Sequence, residues 1–202
     1  GICVGRPVPS VEVRIIAVSG QDFPEHDSER ELPAGEIGEI IVSGPQVTQG
    51  YDHREAETRA AKMHDASGRL WHRMGDVGYQ DLDGRLWYCG RKADRVPTAN
   101  GPLDSIPCEA VFDTHPRVRR TALVGVSEGE VQRPVLCVEL EADVRRQEKE
   151  AIVQELLALG ATTAPTRAVE EIIFRRKFPV DIRHNAKIGR PELARWAARR
   201  MG

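Results

Sequence analysis

Apolar and polar positions alternate through most of the first half of the chain, and helical spacing becomes prominent only in the second half. Residues 11–18 alternate and are β-branched, which predicts a strand. Residues 19–35 are polar, acidic and interrupted by Pro24, Pro33 and two glycines, so they predict a loop. A second strand is expected over 35–44 and an Ala- and Glu-rich helix over 54–63. Residues 78–80 and 86–89 are aromatic and apolar. The Asp81-Leu-Asp-Gly84 between them suits a chain reversal, so a hairpin is expected. Further on, residues 96–103 contain Pro, Gly and Asn and predict a loop. A helix then opens at Ser105-Ile-Pro107, with Ser105 as its cap, and stops at His115-Pro116. Strands follow over 120–126 and 134–140. Residues 142–159 place Val144, Ile152, Val153, Leu156, Leu157 and Leu159 at helical spacing, with Gly160 as a stop. A helical turn over 166–171, a strand over 172–178 and a last helix from Pro191 to Met201 complete the chain. No internal repeat stands out. The order is strand-dominated to about residue 92 and mixed α/β after it, so two domains are expected, 1–92 and 93–202, joined near residues 91–94.

Composition narrows the class. Of 202 residues, 40% are hydrophobic and 30% charged, which describes a globular chain with enough apolar content for a core. The formal net charge of −2 argues against a general polyanion binder, and no nucleic-acid partner is expected. The charge is uneven, with eleven acidic against five basic residues over 1–60 and four against ten over 165–202. A solvated basic helix face is the simplest account of that tail. No apolar run approaches the length of about 18 residues that a membrane helix needs. Cys3, Cys89, Cys108 and Cys137 form no Cys-x-x-Cys pair, and three of them lie in apolar runs. Reduced thiols in a cytoplasmic protein are expected, and no metal site. Without an initiator Met or a leader pattern, the chain reads as a piece of a longer protein.

Chemistry concentrates in two stretches. In the first, Asp76 follows a glycine at the start of one hairpin strand and Arg91 follows a glycine at the end of the other. A hairpin brings such ends together, and a carboxylate accepting two hydrogen bonds suits a vicinal diol such as a ribose. From spacing alone the simpler reading, a solvated surface ion pair, is favoured. In the second, Lys187 lies between a loop and the last helix, where an ammonium can reach an anion; a solvated lysine is again the simpler reading.

Met74-Gly-Asp76 followed by Gly84-Arg-Leu-Trp-Tyr-Cys-Gly-Arg91 resembles the ribose-binding core of the adenylate-forming enzymes, which include acyl-CoA synthetases, luciferases and peptide synthetases. The preceding Gly35-Glu-Ile-Gly-Glu39 and the following Asn185-Ala-Lys187 fall in the order of that family's motifs. The wording of Arg73-Met-Gly-Asp-Val-Gly-Tyr79, Trp87-Tyr-Cys-Gly-Arg-Lys92, Pro107-Cys-Glu-Ala-Val-Phe112 and Val180-Asp-Ile-Arg-His-Asn-Ala-Lys-Ile188 is most similar to the β-lactone synthetases of bacterial olefin biosynthesis. The resemblance implies that residues 1–92 are the β-rich end of a large adenylation domain and 93–202 a small, mobile, three-layer α/β domain. It implies that Asp76 holds the ATP ribose, that Arg91 touches ribose or phosphate, and that Lys187 contacts the α-phosphate and the acyl carboxylate. A hinge falls at Ala93 with Asp94 beside it.

The resemblance further implies an enzyme that activates a 3-hydroxy fatty acid with ATP and Mg, both bound mainly by a region outside this chain, and closes the acyl-AMP to a β-lactone. Enzymes of the olefin pathway would be its partners, and the 202 residues alone would be inactive. Three departures stand out. The family's usual acidic hinge residue is Ala93 here, with Asp94 following it. The usual Thr-x-Ser-Gly is absent before Lys187, and Gly101-Pro-Leu-Asp104 lacks the arginine that thioester-forming relatives carry near that glycine. Part of a fatty acyl-CoA synthetase, or a non-catalytic module using its basic C-terminal face, remain the alternatives.

Overall fold

A computed structural model describes residues 1–20, 28–128, 131–181 and 187–202. Parts of the expected acidic loop (21–27) and of the lysine stretch (182–186) lie outside them. The chain divides into two compact units, Gly1–Ala93 and Asp94–Gly202.

The first unit is an antiparallel sheet. Its elements are β1 (Ile2–Gly5), β2 (Glu12–Ile16), β3 (Gly38–Ser43), α1 (Glu55–Ala61), β4 (Lys62–His64), β5 (Leu70–Gln80) and β6 (Leu86–Arg91). The strands run in the order β1-β6-β5-β3-β2, and β4 also pairs with β5. Ile16, Ile41, Met63 and Trp71 are fully buried and form its core. Strand β5 begins eight residues before the expected 78–80, so Asp76 lies inside the strand and not at its start. The expected helix is correspondingly shorter, because residues 62–64 are drawn into the ladder beside β5.

A repeat also emerges that the alternation pattern hides. Asp65-Ala-Ser-Gly-Arg-Leu-Trp71 and Asp81-Leu-Asp-Gly-Arg-Leu-Trp87 build the same turn, one ahead of β5 and one ahead of β6. In each, an aspartate Oδ1 accepts the backbone N–H groups two and four residues on, at 2.9 and 3.0 Å for Asp65 and 3.0 and 2.9 Å for Asp81. Its Oδ2 accepts the indole N–H six residues on, at 3.0 Å from Trp71 and 2.9 Å from Trp87. Gly68 and Gly84 take the positive φ (80° and 75°) that the reversal requires. Seven residues suffice because every partner is local.

These bonds hold both carboxyls well below the usual carboxylate range, Asp65 chiefly through the Ser67 hydroxyl and the Trp71 indole, Asp81 chiefly through Trp87. A depressed folded-state pKa adds stability that is present above the unfolded value, near 4, and is lost as pH falls toward the folded one. Melting the chain between pH 7 and pH 2 should show this. Asp65→Asn and Asp81→Asn should each melt lower at pH 7 and lose less on acidification than the parent. Parallel acid limbs for parent and variants would remove the turns from that account.

The second unit is a three-layer α/β sandwich. Its elements are β7 (Val96–Thr98), β8 (Gly101–Leu103), α2 (Ser105–Phe112), β9 (Val118–Glu128), β10 (Val131–Leu140), α3 (Lys149–Gly160), β11 (Glu171–Phe174), β12 (Val180–Asp181), β13 (Lys187–Ile188) and α4 (Arg190–Met201). The sheet order is β11-β10-β9, with β10 antiparallel to β9 and parallel to β11. Residues 135–138 of β10 are fully buried, as expected of a strand covered on both faces. Leu136 and Val138 face Cys108 and Phe112 of α2 and Ile152 and Leu156 of α3. Val135 and Cys137, one residue out of phase, pack with Leu193 and Ala197 of α4.

Three expectations change here. The loop over 96–103 is a small hairpin in which Pro97 pairs with Pro102, so neither missing N–H interrupts the ladder. Ser105 is not the helix cap. Asp104 occupies that position, and its carboxylate is taken by Arg95 at 2.6 and 3.3 Å. The third helix starts at Lys149 rather than 142, because Arg117 binds Asp143 and Glu148, each at 3.0 Å, and holds that stretch to β9. Cys89, Cys108 and Cys137 are buried and Cys3 is exposed, none of them in a disulfide; burial pushes Cys108 and Cys137 up to about 12. Among the described residues, no helix is long and apolar enough to cross a membrane.

Candidate functional site

Asp76 and Arg91 are direct partners across β5 and β6. Arg91 Nη1 lies 3.0 Å from Asp76 Oδ1, and the same nitrogen reaches the Met74 carbonyl at 3.4 Å. The carboxylate is 15% exposed, with Oδ1 buried, and the guanidinium 47%, so the arginine is open to water and the aspartate only partly so. Gly75, at φ +67°, has nothing within 4 Å of where a Cβ would stand. The ladder shifts register between Val77 and Gly78, which turns this end of the hairpin relative to the rest. Gly78 is required there, because a Cβ would strike the Trp87 carbonyl.

Beneath this end lies a buried charge that the pattern of residues does not announce. Glu39 of β3 is 1% exposed. It accepts hydrogen bonds from Arg73 of β5 at 2.7 and 3.3 Å and from Lys92 at 3.0 and 3.1 Å. Both cations also donate to the Ser19 carbonyl, at 3.1 and 3.2 Å. One carboxylate thereby ties β3 to β5 and to the residue after Arg91. The signal was present as a glutamate inside the apolar run of β3, but nothing local identifies its partners.

Lys187 is exposed and lies in strand, not in the polar loop expected. Its residue pairs with Asp181, and Ile188 pairs with Val180. Ile188 packs into the α4 core, and the Gly189 N–H donates to the Pro179 carbonyl at 2.8 Å. The backbone that carries the ammonium is therefore held on both sides, while the side chain projects into solvent. Residues 182–186, which complete the motif, lie outside the described residues.

Arg190 was passed over in the sequence reading although it closes the same stretch. Its guanidinium uses all three nitrogens. Nη1 and Nη2 grip Glu109 at 2.5 and 2.9 Å, Nη1 also donates to the Leu123 carbonyl at 3.0 Å, and Nε lies 3.3 Å from Asp94. Glu109, 7% exposed, also accepts the Leu123 N–H at 2.7 Å. Burial pushes its carboxyl above the usual range, and Arg190 opposes that shift. Of the two expected hinge residues, Ala93 is exposed and Asp94 is held by Arg190. Among the described residues, no three His, Cys, Asp or Glu side chains are grouped to hold a metal.

No family model matches the chain. It is 52% identical over 202 residues to an olefin β-lactone synthetase of Xanthomonas campestris pv. campestris and 49% identical over 203 residues to one of Stenotrophomonas maltophilia. Each alignment covers 98% of this chain and 36% of the relative, so the chain spans about a third of the length of these relatives. Its fold matches an ATP-bound RpMatB-BxBclM chimera with a TM-score of 0.79 at 24% identity, over 97% of this chain and 36% of the other. The chain belongs to the adenylate-forming enzymes and corresponds to the C-terminal part of its relatives.

Proposed function

We propose that this chain is the C-terminal part of a β-lactone synthetase that adenylates a 3-hydroxy fatty acid and closes it to the lactone. The observation that carries the proposal is the 52% identity to an olefin β-lactone synthetase, which runs across 98% of the chain. The partly exposed carboxylate of Asp76 suits the hydroxyls of the ATP ribose, with Arg91 beside it to orient the carboxylate and face the nucleotide. The Lys187 ammonium, free of any fixed core position, meets the charge that builds on the α-phosphate and the attacking carboxylate oxygen as pyrophosphate leaves. In the second step the 3-hydroxyl oxygen bonds to the acyl carbon, its proton is lost, and the acyl–AMP bond breaks. Because nucleophile and electrophile belong to one molecule, effective concentration replaces a second substrate.

Between the steps the second unit turns about Ala93. Lys92 is anchored on Glu39 on one side of that residue and Asp94 on Arg190 on the other, so Ala93, inside the short 3-10 turn Lys92–Asp94, is the residue between the two anchors. Mg accompanies ATP as part of the substrate, and its ligands are not assigned to this chain.

The test is product identification. The full-length protein carrying this chain, given Mg-ATP and a 3-hydroxy fatty acid, should yield β-lactone, AMP and pyrophosphate with no dependence on coenzyme A. A coenzyme A-dependent thioester with no lactone would transfer the chain to the acyl-CoA synthetases. No adenylation at all, with salt-dependent binding to nucleic acid or anionic vesicles, would favour the basic binding module.

A further inference from the structure

A buried ion pair is an expensive way to hold two helices. Desolvating both charges offsets most of their attraction, and apolar residues of similar size commonly serve as well. Glu109 and Arg190 are 9% and 14% exposed at their side chains, and every nitrogen of the guanidinium is used. What the pair gains over apolar packing is direction. Its contacts fix the start of α4 to α2 through Glu109, to β9 through Leu123, and to the unit's first residue through Asp94.

Lys187 lies three residues before Arg190 on a strand with only two residues. That ladder is too short to hold its own orientation. The chain leading into β12 is fixed by a second buried glutamate, Glu139, which accepts the Phe178 N–H at 2.9 Å and is itself paired with Arg119 and Arg120 at 3.2 and 2.9 Å. The two glutamates thus hold the segment that enters β12 and the segment that leaves β13, which meet at one end of the ladder.

We propose that Arg190 is a positioning residue for Lys187: through Glu109 and Asp94 it sets where the ammonium stands relative to the residue about which the unit turns. The unit then carries Lys187 into and out of the reaction as a rigid lever. The inference rests on the adenylation reading of Lys187. Misplacing a reacting group by about 1 Å can cost on the order of 10²-fold in rate.

In the full-length protein, ATP–pyrophosphate exchange reports the first half-reaction, and lactone release from supplied acyl-AMP reports the second. Arg190→Lys and Glu109→Gln should lower exchange about tenfold to a hundredfold while lactone release stays near wild type. A residue that only holds the fold would depress both alike. Should those two variants fail to fold, Asp94→Asn removes one contact at a more exposed position, and it should show the same split with a smaller loss. Equal losses in both half-reactions, or undiminished exchange in folded variants, overturns the proposal. Lys187→Ala assayed alongside separates two failures. If it exchanges normally, the adenylation reading falls and the positioning role with it. If it loses exchange while Arg190→Lys does not, the positioning role alone falls.

Discussion

Lys187→Ala in the full-length protein is expected to lower acyl-adenylate formation by about 10²–10³, the usual cost of removing one preorganised donor aimed at developing charge. The same change should scarcely alter the melting temperature. Lys187 is exposed, and surface substitutions usually stay within about 0.5 kcal/mol. The strand that carries it depends on Ile188 and on backbone bonds, none of which involves the ammonium. Lactone formation from supplied acyl-AMP should fall much less, since the charge that Lys187 offsets belongs to the first step. Exchange assays, melting curves and the acyl-AMP assay together decide the matter. Near wild-type exchange, or a protein that unfolds, would return Lys187 to the status of an ordinary lysine.

Glu39→Ala should destabilise the chain by about 3–5 kcal/mol, the range for breaking a buried ion pair by removing one partner. Lys92, 29% exposed at its side chain, can turn to water, but Arg73, at 3%, cannot. The loss therefore comes mainly from a stranded guanidinium. Removing that charge as well, in Glu39→Ala combined with Arg73→Met, should recover part of it. Urea unfolding of the three proteins at one pH measures both effects. A single-variant loss below about 1 kcal/mol, or a double variant worse than the single, would show that Arg73 finds other partners and that the network is incidental.

Several features were legible because their causes are local. The hairpin followed from aromatic strands around Asp81-Leu-Asp-Gly84, and it brought Asp76 close to Arg91; the bulge between Val77 and Gly78 then made them direct partners, since the register set by the turn would pair Asp76 with Gly90. The last helix followed from Pro191 and its apolar spacing. Expectations failed where a distant partner intervened. Asp104, held by Arg95, takes the cap position, so Ser105 falls inside the helix and has no capping role. Residues 142–148 are claimed by Arg117, so the third helix starts late. The twin turns were missed for another reason. A seven-residue match with two variable positions is short, and its meaning rests on the shared hydrogen bonds rather than on alternation.

The sequence by itself therefore determined the strand-rich and mixed halves and the residues brought near one another by a turn, since periodicity and short-range geometry act over a few residues; the family was legible only through the resemblance of its motifs. Only the tertiary structure decided how the candidate groups are held. Glu39 finds Arg73 and Lys92 across 34 and 53 residues of chain, and Glu109 finds Arg190 across 81. A charge in an apolar run shows that a partner must exist, because an unpaired buried charge costs too much. Which of 29 basic residues supplies it is settled by how the sheets and helices stack, and no local pattern in the chain encodes that.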